Sequence, residues 1–324
     1  MVLREIYPEI CFVLTAVSVG LCVLVIFLSR RVLKAYRHSD YAWIMAFNAG
    51  VDIFYSLTHG VVVPSAVATS TSVYLTIENP YLHNISTSAA QIAAFFQWID
   101  ALCSAPCNTV HFYYRYRLLC KGDKWSRQRY LAAYGLVLAV IFFDSSLFYA
   151  STNPESESSR RELVAVNGDG YSVPPHVFLS LNNPVFMLCM FVSQLMFVVE
   201  YGVMIFCGQR IIRQAKKSTS AAKSTQQAQK HLIAVMVLQA VYPLILYFVP
   251  FMYVMIMLSM GVNFQDSSYV AGVSVQLLSP LNSISVLTLI PAYRRVLTKT
   301  SPSNSGTFFV SASRGSLGRK GSMV

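Results

Sequence analysis

Apolar residues fall along this chain in seven long blocks separated by short polar stretches. The blocks cover about 6–29, 41–66, 89–114, 130–150, 184–208, 232–258 and 269–292. A helix needs roughly 20 apolar residues to cross the hydrocarbon core of a bilayer. The pattern therefore predicts an all-α membrane protein, a seven-transmembrane helix bundle over 1–297. The Ser/Thr-rich residues 298–324 have the composition of a disordered tail.

Inside the blocks, polar residues recur with helical period. Asn48, Asp52, Tyr55 and His59 step by four, three and four. Asp100, Ser104, Asn108, His111 and Arg115 step by four, four, three and four, and Gln276, Ser279 and Ser283 do the same in the last block. Each set makes one helical face. Such faces serve as interhelical hydrogen-bonding seams or as a hydrated interior path. The carboxylates favour the second, because ionisable groups at membrane depth turn to a bundle interior. Asn48, Asp52, Asn108 and His111 are the expected interior polar seam.

Charge orients the bundle. None of the 25 Lys and Arg residues lies in a block; with the N-terminus outside, 22 fall in inner segments and 3 in outer ones. Basic residues mark the cytoplasmic side, so the N-terminus is expected outside and the C-terminus inside. This partition also removes nucleic acid as a partner, despite the net charge of +11. The N-x-[ST] acceptor at Asn84 lies in the first outer loop, where glycosylation is expected. The acidic Glu5 and Glu9 and the long first block suit a retained signal anchor rather than a cleaved peptide. None of the seven cysteines lies in an outer loop, and no outer disulfide is expected.

Candidate chemistry is sparse. Cys103, Cys107 and His111 share a face, but the outer two stand about 12 Å apart along a helix, so at most two would meet one ion. No metal site, cofactor or catalytic motif is expected. The third block ends in "HFYYRYRLLC", placing Arg115 at the inner border, either as an interfacial anchor or as a docking arginine.

With that ending the chain resembles the nematode Str superfamily of chemoreceptors, which are G-protein-coupled receptors. The resemblance rests on Tyr114-Arg115-Tyr116, on "FNAGVDIFYS" with Asp52, on "VLQAVYPLILYFVP" and on "SPLNSISVLTLIPAYRRVL", over about residues 40–297. It implies that Arg115, flanked by Tyr114 and Tyr116, faces a Gα subunit, with Arg294 and Arg295 beside it. Tyr114 stands where a rhodopsin-like receptor has an acid, and block seven lacks the lysine a retinal-binding opsin needs. Gln239, Pro243 and Pro250 form the expected hinge, since proline lacks the helical donor and kinks its helix. Depth and side-chain type suggest a pocket for a small-molecule ligand from Phe95, Phe96, Trp98, Asp100, Tyr253, Tyr269 and Gln276. The basic third inner loop suits an acidic partner or anionic membrane lipids. The alternative, a transporter or ligand-gated channel, predicts internal repeats or an inside N-terminus, and the sequence has neither feature.

Overall fold

The computed structural model describes residues 2–35, 40–69, 71–168, 171–217, 223–260 and 265–297. Seven helical rods form the bundle. They are α1 (Val2–Ala35), α2 (Asp40–Val62), α3 (Thr87–Lys121), α4 (Arg127–Ser151), α6 (Pro184–Lys217), α7 with α8 (Lys223–Pro243 and Val249–Ser259), and α9 with α10 (Gln265–Gln276 and Leu278–Leu289). A short α11 (Pro291–Leu297) follows. Rod α3 is central, packing on α2, α4, α6 and α7.

Local chemistry sets the ends. Ser86 caps α3 by accepting from Ala89 N, and Gly122 closes it at φ 69, a left-handed geometry open to glycine. Ser126 caps α4 in the same way. In the sixth rod Pro243 is followed by a π-helical turn, Leu244–Phe248. In the seventh, the rod breaks at Leu277, near Pro280, whose missing N–H would have met Gln276 O. Rods α1, α4, α6 and α9–α10 are apolar enough to span by length and composition alone. Rods α2 and α3 interrupt their apolar runs with Asn48, Asp52 and His59 and with Asp100, Asn108 and His111, and so read as less apolar.

The inner ends of several rods run past their apolar blocks. Residues 209–217 and 223–231, expected as loop, extend α6 and α7 as helix. The Ser/Thr-rich tail lies outside the described residues, as do 218–222 of the third inner loop.

At the outer end the helical bundle carries a small sheet that the hydrophobic pattern did not predict. The block 41–66 ends early, at Val62. Val63 takes φ 47, rare for a β-branched residue, and Pro64 then starts a strand. The outer loops pair into one antiparallel sheet of β1 (Pro64–Ala68), β2 (Ser72–Ile77), β4 (His176–Ser180) and β3 (Thr152–Pro154), in that spatial order. Tyr74 pairs with Phe178 in the register that joins first loop to second. A helix, α5 (Glu157–Asn167), packs Leu163 on Val67 and Tyr74 over the outer face. The inner face sets Ile77, Val177 and Leu179 against Ala90, Ala94, Phe148 and Phe186 of the bundle. The second outer loop is thus a built cap over the bundle mouth.

Candidate functional site

A polar column runs inside the bundle from the cap to the cytoplasmic end. Directly beneath the sheet, His59 Nδ1 meets Gln97 Nε2 at 3.1 Å. One turn down each helix lie Tyr55 and Asp100. The Asp100 side chain is fully buried, and neither of its carboxylate oxygens has a hydrogen-bond partner among the described residues. Tyr55 donates to Val275 O at 3.0 Å. Below them is a small cavity lined by Asn48, Val51, Asp52, Tyr55, Cys103, Asn108, Gln239, Leu278 and Asn282. About 20 Å³ of it is open to a water-sized sphere, enough for one water molecule. Asn48 Oδ1, Gln239 Oε1 and Asn282 Oδ1 also lack partners among the described residues. Buried acceptors of this kind require donors, so the column suits water or the donor groups of a guest.

Beside the column a serine network ties the first, second and seventh rods. Ser56 Oγ donates to Ser18 Oγ at 3.0 Å, and Ser18 Oγ to Ser279 Oγ at 2.9 Å. Cys22 Sγ lies 3.3 Å from Ser283 Oγ. The column ends at His111 and Arg115. Arg115 is buried, and its Nε donates to His111 Nε2 at 3.1 Å. An imidazole that accepts at Nε2 carries its proton on Nδ1.

The expected site residues separate into groups. Asn48, Asp52 and Asn108 line one cavity, with His111 one turn below. Of the expected pocket, Asp100 faces the interior. Trp98 Nε1 is instead spent on Asp144 Oδ2 at 3.1 Å, which Ser193 Oγ also meets at 2.8 Å. Gln276 Nε2 donates to Cys11 O and Thr15 Oγ1. Tyr269 packs on Tyr7 with ring centroids 4.9 Å apart and reaches Glu78. Phe95, Phe96 and Tyr253 do not belong to an interior pocket. Phe96 and Tyr253 are exposed on the bundle surface, and Phe95 packs on the exposed rings of Phe142 and Tyr149. Depth was readable for these three; the facing side was not.

At the inner border Tyr114 is buried against Trp125 and Tyr130, while Tyr116 turns to Phe206. Arg294 and Arg295 are exposed on α11, while their neighbour Tyr293 is buried on Ser29 at 2.7 Å. Arg117 binds Asp123 through Nε and Nη2, at 3.1 and 2.6 Å. Those bonds hold the Asp123 carboxyl below its usual range. Cys103 lines the cavity, and His111 Nε2 accepts from Arg115 Nε. Among the described residues no three His, Cys, Asp or Glu side chains cluster as a metal site.

Three participants were missed. Gln97 precedes Asp100 by one turn on the same polar face, and extending that run by one step finds it; Asn282 lies three residues after Ser279, beside the Ser283 to which the other run steps. Glu78, buried in the cap, had no periodic signal at all.

The fold is similar to that of squid rhodopsin, with a TM-score of 0.58 at 12% sequence identity, covering 92% of this chain and 85% of that one. The nematode protein "Serpentine receptor class r-10" of Caenorhabditis elegans is 22% identical over 255 residues, 73% of this chain and 74% of the relative. A sequence model of the family described as "Serpentine type 7TM GPCR chemoreceptor Str" matches residues 4–298, so the likeness takes in the first rod as well as the 40–297 read from motifs. A bundle of seven rods with a polar core and a buried arginine at its inner border, matched over nearly its whole length, belongs to the Str family of serpentine seven-transmembrane G-protein-coupled chemoreceptors.

Proposed function

We propose that this receptor binds a small molecule beneath the outer cap and converts that binding into activation of a Gα subunit at its cytoplasmic face. The observation that carries the reading is the series of buried polar groups along α2 and α3, from His59, Gln97 and Asp100 through the small cavity to His111 and Arg115. Its upper part offers acceptors to a donor-bearing guest. Its lower part holds Arg115, for which the likeness to the family supports a role at the Gα interface. A guest that binds one arrangement of the column better than another shifts the whole bundle toward that arrangement. The inner surface to be read out comprises Arg115, once released from His111, with Tyr116, Arg294 and Arg295 around it.

By family resemblance the receptor works in the plasma membrane of a sensory cell, on its cilium. Expression in a heterologous cell with a promiscuous Gα, challenged with volatile and water-soluble compounds, tests the reading by calcium or cAMP response. A compound that evokes a response from the receptor, but not from Asp100→Leu at equal surface expression, is the expected result. A responding compound whose potency is unchanged in Asp100→Leu and in Gln97→Leu would place its site elsewhere.

A further inference from the structure

The sixth rod has a break that covalent chemistry imposes. Pro243 has no N–H, so the carbonyl of Gln239, four residues earlier, loses the donor an α-helix would supply. Past the proline the chain winds as π-helix, with Val249 N–H reaching back five residues to Leu244 O.

The carbonyls just before this break are met from other rods. Asn108 Nδ2, on α3, donates to Gln239 O at 2.8 Å. Tyr201 Oη, on α6, donates to the next carbonyl, Ala240 O, at 3.2 Å. Tyr242 Oη and Ser285 Oγ of α10 share a hydrogen bond of 2.8 Å. The last turn before the break is therefore gripped from three sides. Helix-breaking prolines in membranes have their freed backbone groups re-satisfied in several ways, including Ser or Thr side chains, waters and neighbouring helices. Capping by side chains of two neighbouring rods is different in consequence, because it couples the bend of one rod to the positions of two others. Asn108 and Gln239 both line the central cavity, which has room for a water at the same carbonyl.

We propose that Asn108 and Tyr201 are positioning residues that latch the hinge of the sixth rod. They hold its inner half, α7, against α3 and α6, and opening of the inner face exchanges their hydrogen bonds for cavity water. The link from hinge to signalling rests on the Gα reading above; the latch itself is a property of the bundle.

The test uses the full chain in lipid nanodiscs with two readouts. One is amide hydrogen exchange over residues 240–248, and the other is ligand-independent nucleotide exchange on added Gα. Asn108→Leu and Tyr201→Phe should each speed hydrogen exchange there and raise basal nucleotide exchange about two- to tenfold, the population shift of one net hydrogen bond. Pro243→Ala restores a backbone donor to Gln239 O, so in that background Asn108→Leu should lose most of its effect. An equal effect of Asn108→Leu in both backgrounds would reduce Asn108 to a packing residue and overturn the latch. Unchanged hydrogen exchange in Tyr201→Phe would overturn it as well. That variant removes one oxygen and keeps the ring packed, so the test survives if Asn108→Leu does not reach the membrane. Faster hydrogen exchange with unaltered nucleotide exchange would support the latch and count against the Gα reading.

Discussion

The two ends of this bundle are built differently. At the outer end, the first and second outer loops are stitched into one sheet, and the sheet is bonded to the first and seventh rods. Arg4 of α1 pairs with buried Glu78 at 3.1 Å, donates to Ser172 O and stacks over Tyr171. Tyr7 donates to Pro64 O at 2.6 Å, and Ser65 bonds Ser268 of α9 at 2.8 Å. At the inner end the rods run on past their apolar blocks, and Arg115 Nε donates to His111 Nε2 one turn earlier on the same helix. Such a partition confines motion. On the proposed function, a frame fixed at the outer end and hinged at Pro243 would transmit a change in the column mainly to the inner face.

The largest effect on this contrast should come from Gly272→Ala. A Cβ there would overlap Tyr7 Oη and stand 3.2 Å from Tyr7 Cζ. Tyr7 is buried and bonded to Pro64 O, so it has nowhere to go. Overpacking and the lost hydrogen bond together should cost roughly 3 kcal/mol, seen as a lower melting temperature in detergent. Gly20→Ala, where a Cβ meets nothing within 4 Å, should melt at or slightly above the parent temperature.

Next in size is Arg4→Ala, which leaves the Glu78 carboxylate buried with Thr76 Oγ1 at 3.0 Å and Tyr269 at 3.5 Å. Losing one partner of a largely buried pair should destabilise the cap by about 2 kcal/mol, read as faster proteolysis within 155–175 while the rods stay intact. Equal proteolysis of cap and rods would show that the outer end is not a separate frame.

A smaller effect concerns pH. His176 lies buried in β4, with Nε2 2.8 Å from Ser159 Oγ and Nδ1 3.0 Å from Pro174 O. Glu155 approaches Nδ1 at 3.7 Å, Arg160 pairs with Glu155, and Tyr74 packs on the ring. Burial lowers its pKa, against the Pro174 carbonyl and Glu155, which raise it. A folded value below the unfolded one, near 6.5, means stability is full above about pH 6.5 and is lost as pH falls toward the folded value. Cap protection should therefore weaken below about pH 6, and His176→Gln should flatten that dependence.

The smallest change is Asn84→Gln. The asparagine is exposed just before α3, so the parent should carry a glycan from a eukaryotic host and the variant should run faster on a gel, with melting unchanged. Glycosidase should remove the difference.

Much of this was legible in sequence, unevenly. The rods and the membership of Asn48, Asp52 and Asn108 in one seam follow from period and charge, which a single helix encodes. The cap was missed because its strands are short and the pairing that joins first loop to second, β2 with β4, spans about 100 residues: Tyr74 finds Phe178 only in three dimensions. Yet "SVYLTI" does alternate, with β-branched and aromatic residues, and read as a strand it would have ended α2 before Pro64. The pocket aromatics failed for a different reason. Phe95, Phe96 and Tyr253 are as apolar as a lining residue or a lipid-facing one, and composition does not separate the two.

The central claim is that the inner end is a Gα-coupling surface built around Arg115, and the most direct measurement is ligand-stimulated nucleotide exchange by Arg115→Lys at matched surface expression. A lysine keeps the charge and would serve as an interfacial anchor, but it lacks the planar guanidinium fork. Arg117→Lys is the control, since Arg117 is engaged with Asp123 in the loop. The account predicts that Arg115→Lys keeps ligand binding and loses most stimulated exchange, while Arg117→Lys signals nearly as the parent does. Full exchange from Arg115→Lys would contradict it and leave Arg115 as a membrane-border anchor.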